Sequence, residues 1–345
     1  MENLPRAFPN PTNKALYRQL PEHFQVNETL SFKPSGEGDH LYLYIEKRNT
    51  NTDWLAREMA QKAGIRSVEV GYAGRKDRFA VTRQWFSLHL PASKSIDPMT
   101  FQSRDYQVIE HTRHTHKLRK GEIAFNQFKL QLIEFEGDFS SFEKRLGLIS
   151  EKGFPNYFGP QRFGHQSGNI DKARDMLSGK VRVHDRNKRS IYLSAARSYL
   201  FNLVLAKRIE NNCWLEPIQG DLLWDEESQR LSESDLVTEF SEDILLQKVN
   251  SGQLTITGPM PGDGKNSVTD DTLVLESLVL AGEQSLYAGI ANSRIQWQRR
   301  ALRVIPTDVS SKENELGVEI TFSLRTGTFA TSLLKELLVL KEDCK

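Results

Sequence analysis

At 345 residues the chain is too long for one small hydrophobic core, so its length predicts two domains. Hydrophobic residues make up 38% and charged residues 26%, as in ordinary soluble globular proteins, and no apolar run is long enough to cross a membrane. The formal net charge of +1 excludes a uniformly basic nucleic-acid-binding protein, so any basic surface has to be a local one.

The first residues and the cysteines bear on where the protein works. Residues 1–6 lack the hydrophobic core of a signal peptide, so we expect the protein to stay in the cytoplasm and to have no contact with a membrane. The two cysteines, Cys213 and Cys344, are far apart in the sequence, which favours neither a disulfide framework nor a thiolate metal site. A reducing compartment fits this composition.

The first third of the chain predicts a sheet with helices on one face. Alternating apolar residues predict a strand over residues 41–45, and apolar residues at a spacing of four predict a helix that Thr52 caps and Gly64 ends. Two further strands, over residues 68–70 and 86–90, enclose a loop. The order strand, helix, strand, loop, strand is typical of an α+β sheet.

The next segment continues the same pattern. Residues 106–109 predict a short strand, and residues 128–132 predict a longer one with Asn126 on the same side. Residues 140–143 read Ser-Ser-Phe-Glu, which is a capping box and predicts that a helix begins there.

The second half of the chain is mainly helical in pattern and then returns to a strand. Helices are predicted over residues 194–211, 271–280 and 293–303, whereas the acidic stretch 221–264 gives no clear pattern. Residues 318–324 alternate as a strand. A final helix follows Gly327, with Phe329, Leu333, Leu337 and Leu340 on one face.

The late strand sets the predicted domain organisation. A single strand needs a sheet, and the economical solution is that residues 318–324 join the N-terminal sheet. The intervening segment is then an insertion whose two ends lie close together. We therefore predict one domain formed by residues 1–152 and 304–345, and a second, inserted domain formed by residues 153–303.

Basic residues are concentrated in three clusters, at residues 111–120, 182–189 and 294–303. Each cluster alone is typical of a solvated helix or loop face. Together, and with aromatic residues such as Phe158 nearby in sequence, they favour a phosphate-bearing partner. The histidines of the first cluster are spaced as in some metal sites, but most of their neighbours are basic or polar donors, which favours imidazoles that face phosphate.

The loop between the strands of the first third carries the candidate nucleophile. Two glycines, Gly71 and Gly74, are followed by a run of charged residues and an alternating apolar segment, which would hold Asp77 at a fixed point beside cations. A carboxylate placed in this way can act as a nucleophile. A solvated hairpin turn has the same local composition, so the loop alone does not decide between the two.

Five motifs in order give the sequence a family resemblance. Gly74-x-Lys76-Asp77, followed by Ala80-Val81-Thr82-x-Gln84-Trp85, resembles the catalytic loop of the TruD family of tRNA pseudouridine synthases. The other segments that resemble the family are residues 18–24 with 36–41, 126–128, 155–164 and 327–331. The resemblance spans nearly the whole chain, and five motifs in sequence are far more specific than any one of them.

This resemblance implies a fold and an activity. The fold is α+β, a pseudouridine-synthase-like mixed, mainly antiparallel sheet with flanking helices and an inserted α/β (TRUD) domain. The activity is isomerisation of uridine 13 to pseudouridine in tRNA-Glu-type substrates, with Asp77 as the nucleophile and with no cofactor and no metal. The expected partner is tRNA, and the expected oligomeric state is a monomer.

The resemblance also assigns roles to particular residues. Phe24, Phe128 and Phe329 line the uridine pocket, Asn126 hydrogen-bonds near the uracil or the carboxylate, and Lys76 binds substrate. Lys76 and Arg78 would also favour the charged form of Asp77. The supporting or RNA-contacting residues are Arg18, Glu28, Asn156 and Arg162, to which the basic cluster at residues 182–189 adds Arg186, Lys188 and Arg189. From spacing alone, Phe128 and Phe329 are better explained as core residues.

Two alternatives stay open at this stage. The family commonly has glycine just before the Asn-x-Phe motif, where this chain has Phe125, so the loop must differ here if that position requires a positive φ. A protein of the same architecture could also bind or fold RNA without turnover. The intact Gly-x-Lys-Asp motif argues against such a loss.

Overall fold

Two units, each with its own hydrophobic core, make up the chain. The structure, a computed structural model, describes residues 4–91, 93–94, 96–232 and 240–341. The sheet unit contains the described residues in 11–150, 306–327 and 337–341, and the helical unit contains those in 4–10, 151–305 and 328–336.

Strands and α-helices both occur throughout the described part of the chain. In chain order the strands are β1 (Lys14–Tyr17), β2 (Phe24–Leu30), β3 (His40–Arg48), β4 (Val70–Tyr72), β5 (Val81–His89), β6 (Tyr106–His114), β7 (Ile123–Glu136), β8 (Phe154–Pro155), β9 (Leu223–Asp225), β10 (Arg230–Leu231), β11 (Leu254–Met260), β12 (Gln298–Ala301), β13 (Arg303–Val304), β14 (Thr307–Asn314), β15 (Gly317–Arg325) and β16 (Val339–Leu340). The α-helices are α1 (Thr52–Ala63), α2 (Phe139–Lys152), α3 (Gly168–Leu177), α4 (Arg186–Glu210), α5 (Glu242–Asn250), α6 (Asp270–Ala281), α7 (Gln284–Ala291) and α8 (Ala330–Leu337).

The sheet unit is organised around one large mixed sheet. Its main path runs β14-β15-β7-β2-β5-β3-β6, with β1 and β16 attached beside β7 and with β4 paired to β5. All of its pairs are antiparallel except β2 with β5 and β1 with β16. The predicted α+β fold class, with a mixed and mainly antiparallel sheet, is confirmed, and the late strand β15 does join the N-terminal strands.

Alternation along β3 explains how one face of this sheet is covered. Leu41, Leu43 and Ile45 are buried on one side and pack with residues of α1, including Leu55 and Met59. The apolar stripe of α1 and the period-two pattern of β3 therefore meet in one core, which places the N-terminal end of α1 beside the loop between β4 and β5.

Both predicted helix starts in this unit are shifted by one or more residues. Asn51, not Thr52, is the N-cap residue of α1, since its side chain accepts a hydrogen bond from the Trp54 amide, and Gly64 ends the helix as predicted. At α2, Asp138 accepts from the Ser141 amide, so the predicted capping box at residues 140–143 is wrong. In both cases a neighbouring Asn or Asp is an equally good cap, and local spacing does not choose between them.

The helical unit is built around α4, which is buried along most of its length against β11 and the other helices. A small sheet in the order β10-β9-β11-β12 lies on this core. The helix begins at Arg186, eight residues before the predicted start, because Asp185 caps it. The predicted helix over residues 293–303 is wrong, since this segment contains β12 and β13, and α7 was not predicted.

The two ends of the predicted insertion are neighbours. Phe154 and Pro155 pair in antiparallel fashion with Val304 and Arg303. Residues 4–10 and 328–336, which the sequence assigned to the other domain, pack in the helical unit, where the Ala7 and Phe8 amides donate to the Glu336 carboxylate. The final helix ends at Leu337 and Leu340 lies in β16, so Leu340 is not on the predicted helix face. The assignment of domain roles stays a prediction.

Within the described ranges, no helix is long and apolar enough to cross a membrane.

Candidate active site

The candidate nucleophile lies on the loop between two strands of the large sheet. The strand β4 ends at Tyr72, β5 begins at Val81, and Asp77 lies between them with 37% of its side chain exposed. The carboxylate is thus accessible to a ligand while its loop begins and ends in the sheet. The predicted order of strand, loop and strand around Asp77 is confirmed.

Arg18 is the cation that contacts the Asp77 carboxylate. Its Nη2 lies 3.1 Å from Oδ1 of Asp77, and its Nε donates to the carbonyl oxygen of Phe79 at 2.9 Å. The same guanidinium lies 4.8 Å from the centre of the Phe24 ring. Since a partly exposed ion pair contributes only about 0–1 kcal/mol to stability, the arrangement matters more for orienting the carboxylate.

Lys76 does not make the contact with Asp77 that its neighbouring position suggests. Its ammonium forms an ion pair with the Glu28 carboxylate, and both side chains are almost completely buried. Glu28 also accepts a hydrogen bond from the Trp85 amide at 3.1 Å, while removal from water raises the pKa of its carboxyl group. Lys76 therefore lies in the interior beside Glu28, whereas the Asp77 side chain is partly exposed and pairs with Arg18. The expectation that Lys76 and Arg78 favour the charged form of Asp77 stays a prediction, and the ion pair that the carboxylate forms is with Arg18.

Three hydrogen bonds in series attach the loop to α1 and β5. The Lys76 amide donates to Oγ1 of Thr52 at 3.1 Å, Thr52 donates to Oε1 of Gln84 at 3.0 Å, and Nε2 of Gln84 donates to the Gly74 carbonyl at 3.1 Å. Thr52 and Gln84 are both buried. These bonds fix the backbone on the N-terminal side of Asp77.

Two of the predicted pocket aromatics lie in the core of the sheet unit. Phe24 is 3% exposed and Phe128 is 8% exposed. Their rings pack edge to face at 6.0 Å, and Phe128 stacks on Phe322 at 5.3 Å. The edge of this cluster reaches Asp77 through Arg18, which contacts both Phe24 and the carboxylate. Their role as pocket walls stays a prediction.

Asn126 lies directly opposite Glu28 in the antiparallel pair of β7 and β2. Its Oδ1 is buried and has no hydrogen-bond partner among the described residues. A buried amide oxygen without a partner costs about 1–3 kcal/mol, and such atoms are expected where a ligand completes the hydrogen bonding. The preceding residue, Phe125, pairs with Thr29 and Arg325 in the sheet and is not among the residues with positive φ. A non-glycine residue is therefore accommodated there without strain.

Phe329, Asn156 and Arg162 belong to the helical unit. Phe329 packs edge to face on Phe158 at 5.9 Å, and the guanidinium of Arg162 lies 5.5 Å from the same ring. Asn156 is 4% exposed, and its Nδ2 donates to the Ala301 carbonyl at 2.8 Å, so it joins the two ends of the inserted segment.

Arg300 completes this cluster around Phe158. It lies 4.1 Å from the Phe158 ring centre and donates to Oδ1 of Asn156 at 2.5 Å. Burial, together with the nearby charge of Arg162, lowers the pKa of Arg300 to about 9. The central position of Phe158 and Arg300 was not predicted from the sequence.

Arg186, Lys188 and Arg189 lie in the first turn of α4 and are exposed. With Arg182 and His184, Arg186 and Arg189 line an open groove of about 610 Å³. Within the part of the chain that the structure describes, no carboxylate forms an ion pair with any of these arginines and lysines. The groove, called here the basic groove, consequently offers arginines that are available to an anionic partner.

The first basic cluster lies at the end of the edge strand β6 and contains a chain of hydrogen bonds between histidines. The Ser35 amide donates to Nδ1 of His114 at 3.1 Å, so the proton of this imidazole is on Nε2. Nε2 of His114 lies 3.0 Å from Nε2 of His116, whose Nδ1 faces the Lys117 carbonyl at 3.1 Å. One neutral tautomer of each ring satisfies all three contacts. Among the described residues, no group of three or more His, Cys, Asp or Glu is arranged to hold a metal ion.

Sequence reasoning did not predict that Lys47, Thr52 and Gln84 contact the loop backbone, and it gave Lys47 no role at all. Lys47 is fully buried on the same face of β3 as Leu43 and Ile45. A charged residue that continues the apolar face of a strand is a signal that the sequence does contain, because such a lysine must have a polar partner in the interior.

Comparisons with known proteins agree over most of the chain. The family model for tRNA pseudouridine synthase D (TruD) matches residues 10–182 and 171–337. The tRNA pseudouridine synthase D of Methylococcus capsulatus is 40% identical over 337 residues, which cover 97% of this chain and 94% of that protein. The tRNA pseudouridine synthase D of Vibrio cholerae serotype O1 is 39% identical over 330 residues, which cover 95% and 90%.

The fold also resembles solved structures. The crystal structure of the putative tRNA pseudouridine synthase D (TruD) from Methanosarcina mazei matches with a TM-score of 0.75 and covers 97% of this chain and 95% of that chain. Its sequence identity is 21%, so the likeness supports the architecture.

Proposed function

Because the chain belongs to the TruD family of tRNA pseudouridine synthases, we propose that it converts uridine 13 of tRNA-Glu-type substrates into pseudouridine, with Asp77 as the nucleophile. The observation that carries the proposal is the ion pair of Arg18 with an accessible Asp77 carboxylate on a loop that is anchored on its N-terminal side. The protein is proposed to act in the cytoplasm, as a monomer and without a cofactor or metal.

The reaction needs few protein groups that form a bond with the substrate. The bond from C1′ to N1 of uracil breaks, a bond from C1′ to C5 forms, C5 loses a proton and N1 gains one, so the mass is unchanged. A carboxylate that bonds transiently to C1′ or C6 and is released when the base is rejoined divides this exchange into easier steps. Arg18 is proposed to direct the carboxylate towards the nucleoside.

The uridine has to leave the folded tRNA before it can meet Asp77. Extruding a base costs a few kcal/mol of stacking and pairing, which a protein offsets with aromatic and amide contacts. Asn126 can supply such a contact, since its buried Oδ1, which has no partner among the described residues, can accept a hydrogen bond from an N–H group of uracil. Phe24, Phe128 and Phe329 are proposed to form apolar walls for the base. Lys76 is proposed to bind the substrate, and Glu28 is proposed to support the pocket through its ion pair with Lys76.

The basic groove is proposed to hold the tRNA backbone. Its exposed arginines lack ion-pair partners among the described residues, and phosphate contacts supply most of the affinity in sequence-independent RNA binding. Asn156 and Arg162 are proposed to hold the junction of the inserted segment, with Arg162 within reach of RNA.

A tritium-release assay tests the catalytic role. With tRNA that carries tritium at C5 of uridine, pseudouridine formation releases the label to water. We expect release by the wild-type protein, none above background by Asp77→Asn, and a tRNA dissociation constant for the variant within about a factor of ten of wild type. A tRNA with cytidine at position 13 is the control for the site of reaction.

Each outcome has one meaning for the proposal. Full release by Asp77→Asn would show that another group is the nucleophile. Release that persists when position 13 is cytidine would move the target to another uridine. A wild-type protein that binds tRNA but never releases label would favour the alternative, an RNA-binding protein of the same architecture without turnover.

A further inference from the structure

We propose that Lys47 is a positioning residue, whose buried ammonium holds the backbone carbonyl of Asp77 and thereby fixes the direction in which the carboxylate leaves the loop. The inference rests on the proposed function of Asp77, since it assigns the structural support of that nucleophile.

The contacts of Lys47 are few and specific. Its Nζ donates to the carbonyl oxygen of Thr50 at 2.7 Å and to the carbonyl oxygen of Asp77 at 3.1 Å. Thr50 immediately precedes the N-cap residue of α1, so the ammonium bridges the start of a buried helix and the nucleophile itself. The anchors at Thr52 and Gln84 reach Lys76 and Gly74, whereas Lys47 reaches Asp77.

A stabilising role alone does not account for this lysine. The side chain is 0% exposed, and no carboxylate lies within ion-pair distance of it in the described part of the chain. Burial lowers the pKa of Lys47 to about 8, with the charge of Lys76 acting in the same direction and that of Asp77 opposing it. Because an ammonium loses much hydration when it is buried, an apolar residue of similar length would be the more stabilising choice at a core position. The presence of a lysine is explained by its two hydrogen bonds, which fix the carbonyl groups of Thr50 and Asp77.

Arg18 and Lys47 hold different parts of the same residue. Arg18 contacts the carboxylate, and Lys47 contacts the main-chain carbonyl. With both ends held, the bond from Cα to Cβ of Asp77 has a fixed direction. In reactions that depend on orientation, a displacement of about 1 Å costs on the order of 100-fold in rate.

The variant Lys47→Met removes both hydrogen bonds and keeps the length of the side chain. We expect kcat to fall by about 10- to 100-fold while KM for tRNA changes by less than about threefold, because the groups that bind phosphate are untouched. Met59→Ala is the matched control, since it opens a cavity in the same core beside α1 without changing a contact of Asp77. It should lower the melting temperature and leave kcat at the wild-type value when both are assayed below their melting temperatures.

Amide hydrogen exchange gives a readout that does not depend on activity. Exchange in residues 74–80 should be at least about tenfold faster in Lys47→Met than in the wild type or in Met59→Ala, because the loop loses its anchor at Asp77. If Lys47→Met does not fold, Lys47→Gln, which keeps one amide donor group, is measured in the same way and should show a smaller acceleration.

The outcomes separate this inference from the proposed function. Wild-type exchange in residues 74–80 of the lysine variant, or a wild-type kcat, would overturn the positioning role. Fast exchange in the variant together with a wild-type protein that forms no pseudouridine would refute the proposed function and leave Lys47 as the anchor of Asp77.

Discussion

At the scale of single residues, His114 shows how a hydrogen-bond pattern selects a charge state. The Ser35 amide donates to its Nδ1 and its Nε2 faces His116, so a second proton on the ring would meet a donor at Nδ1. Burial and the neighbouring His116 lower the pKa of His114, against a weaker opposing effect of Glu122. The folded protein consequently prefers this imidazole neutral.

This preference predicts a loss of stability in acid. Because the pKa of His114 is lower in the folded than in the unfolded chain, the unfolded chain binds the extra proton first as the pH falls below about 6.5. Between pH 7.5 and 5.5 the melting temperature of the wild type should therefore fall more than that of His114→Gln, which does not titrate. His40, whose pKa is also lowered, is present in both proteins and cancels in the comparison.

The range above pH 7.5 is the control, since His114 is neutral in both states there and the two curves should run parallel. Parallel curves throughout the acid range as well would show that the histidine titrates alike in the folded and unfolded chain.

The candidate nucleophile could be proposed from the sequence, but its ion pair with Arg18 could not. Asp77 belongs to a local motif, whereas Arg18 is distant in sequence and reaches it only because β2 and β5 are neighbours in the sheet. Arg18 also has a φ of 62°, a left-handed conformation that is uncommon for residues other than glycine and that no composition rule predicts. Contacts between residues that are distant in the sequence determine both the ion pair and the backbone conformation of Arg18.

At the scale of elements, the aromatic cluster between β2, β7 and β15 allows a test of whether a ring stabilises the core or lines a ligand pocket. Phe128 lies between Phe24 and Phe322 and is almost completely buried. We expect Phe128→Ala to lower the free energy of unfolding by about 3–5 kcal/mol, as for other buried phenylalanines, and Phe128→Leu to cost less than about 1.5 kcal/mol. Urea denaturation at pH 7.5 measures both values.

Phe79→Ala is the comparison for this series, because Phe79 is 40% exposed and its removal should change the free energy of unfolding by less than about 0.5 kcal/mol. If Phe128→Ala is as mild as this control, the ring contributes to a ligand pocket and not to the core.

Elements whose apolar residues recur at a regular spacing could be predicted from the sequence. Elements that bury a charged residue could not. The strands β3, β7 and β15 alternate clearly and were predicted, although with ends that fall short of the observed ones. The segment 293–303 was predicted as a helix from its residue pattern. In the structure the Arg299 side chain is 4% exposed in β12 and forms an ion pair with Glu276 of α6, so a charge occupies an interior position. Hydrophobic periodicity has no means of recognising such a pair.

For the whole molecule, a net charge of +1 means that RNA binding depends on where the charge lies. Replacing Arg186, Lys188 and Arg189 with alanine removes three cations beside the basic groove. We expect weaker tRNA binding and a plot of log affinity against log salt that is flatter by about one unit for each phosphate that the protein no longer neutralises. Filter binding from 50 to 200 mM salt measures this slope.

A second triple variant controls for the change in net charge. Lys144, Lys152 and Lys312 are exposed and lie outside the groove, so their replacement with alanine lowers the charge equally and should leave the slope near its wild-type value. Equal slopes for the two triple variants would show that the groove is not the tRNA-binding face.

The order of strands in the large sheet has a consequence for the chain as it is being made. One edge of β7 pairs with β15, and 181 positions separate Glu136 at the end of the first strand from Gly317 at the start of the second. At a synthesis rate of about 5–20 residues per second, that edge of β7 stays unpaired for on the order of 10–40 s before synthesis reaches β15. During this interval a nascent chain offers a row of unsatisfied amides and carbonyls to other chains on the same message, and a product cut short before residue 317 would offer it permanently.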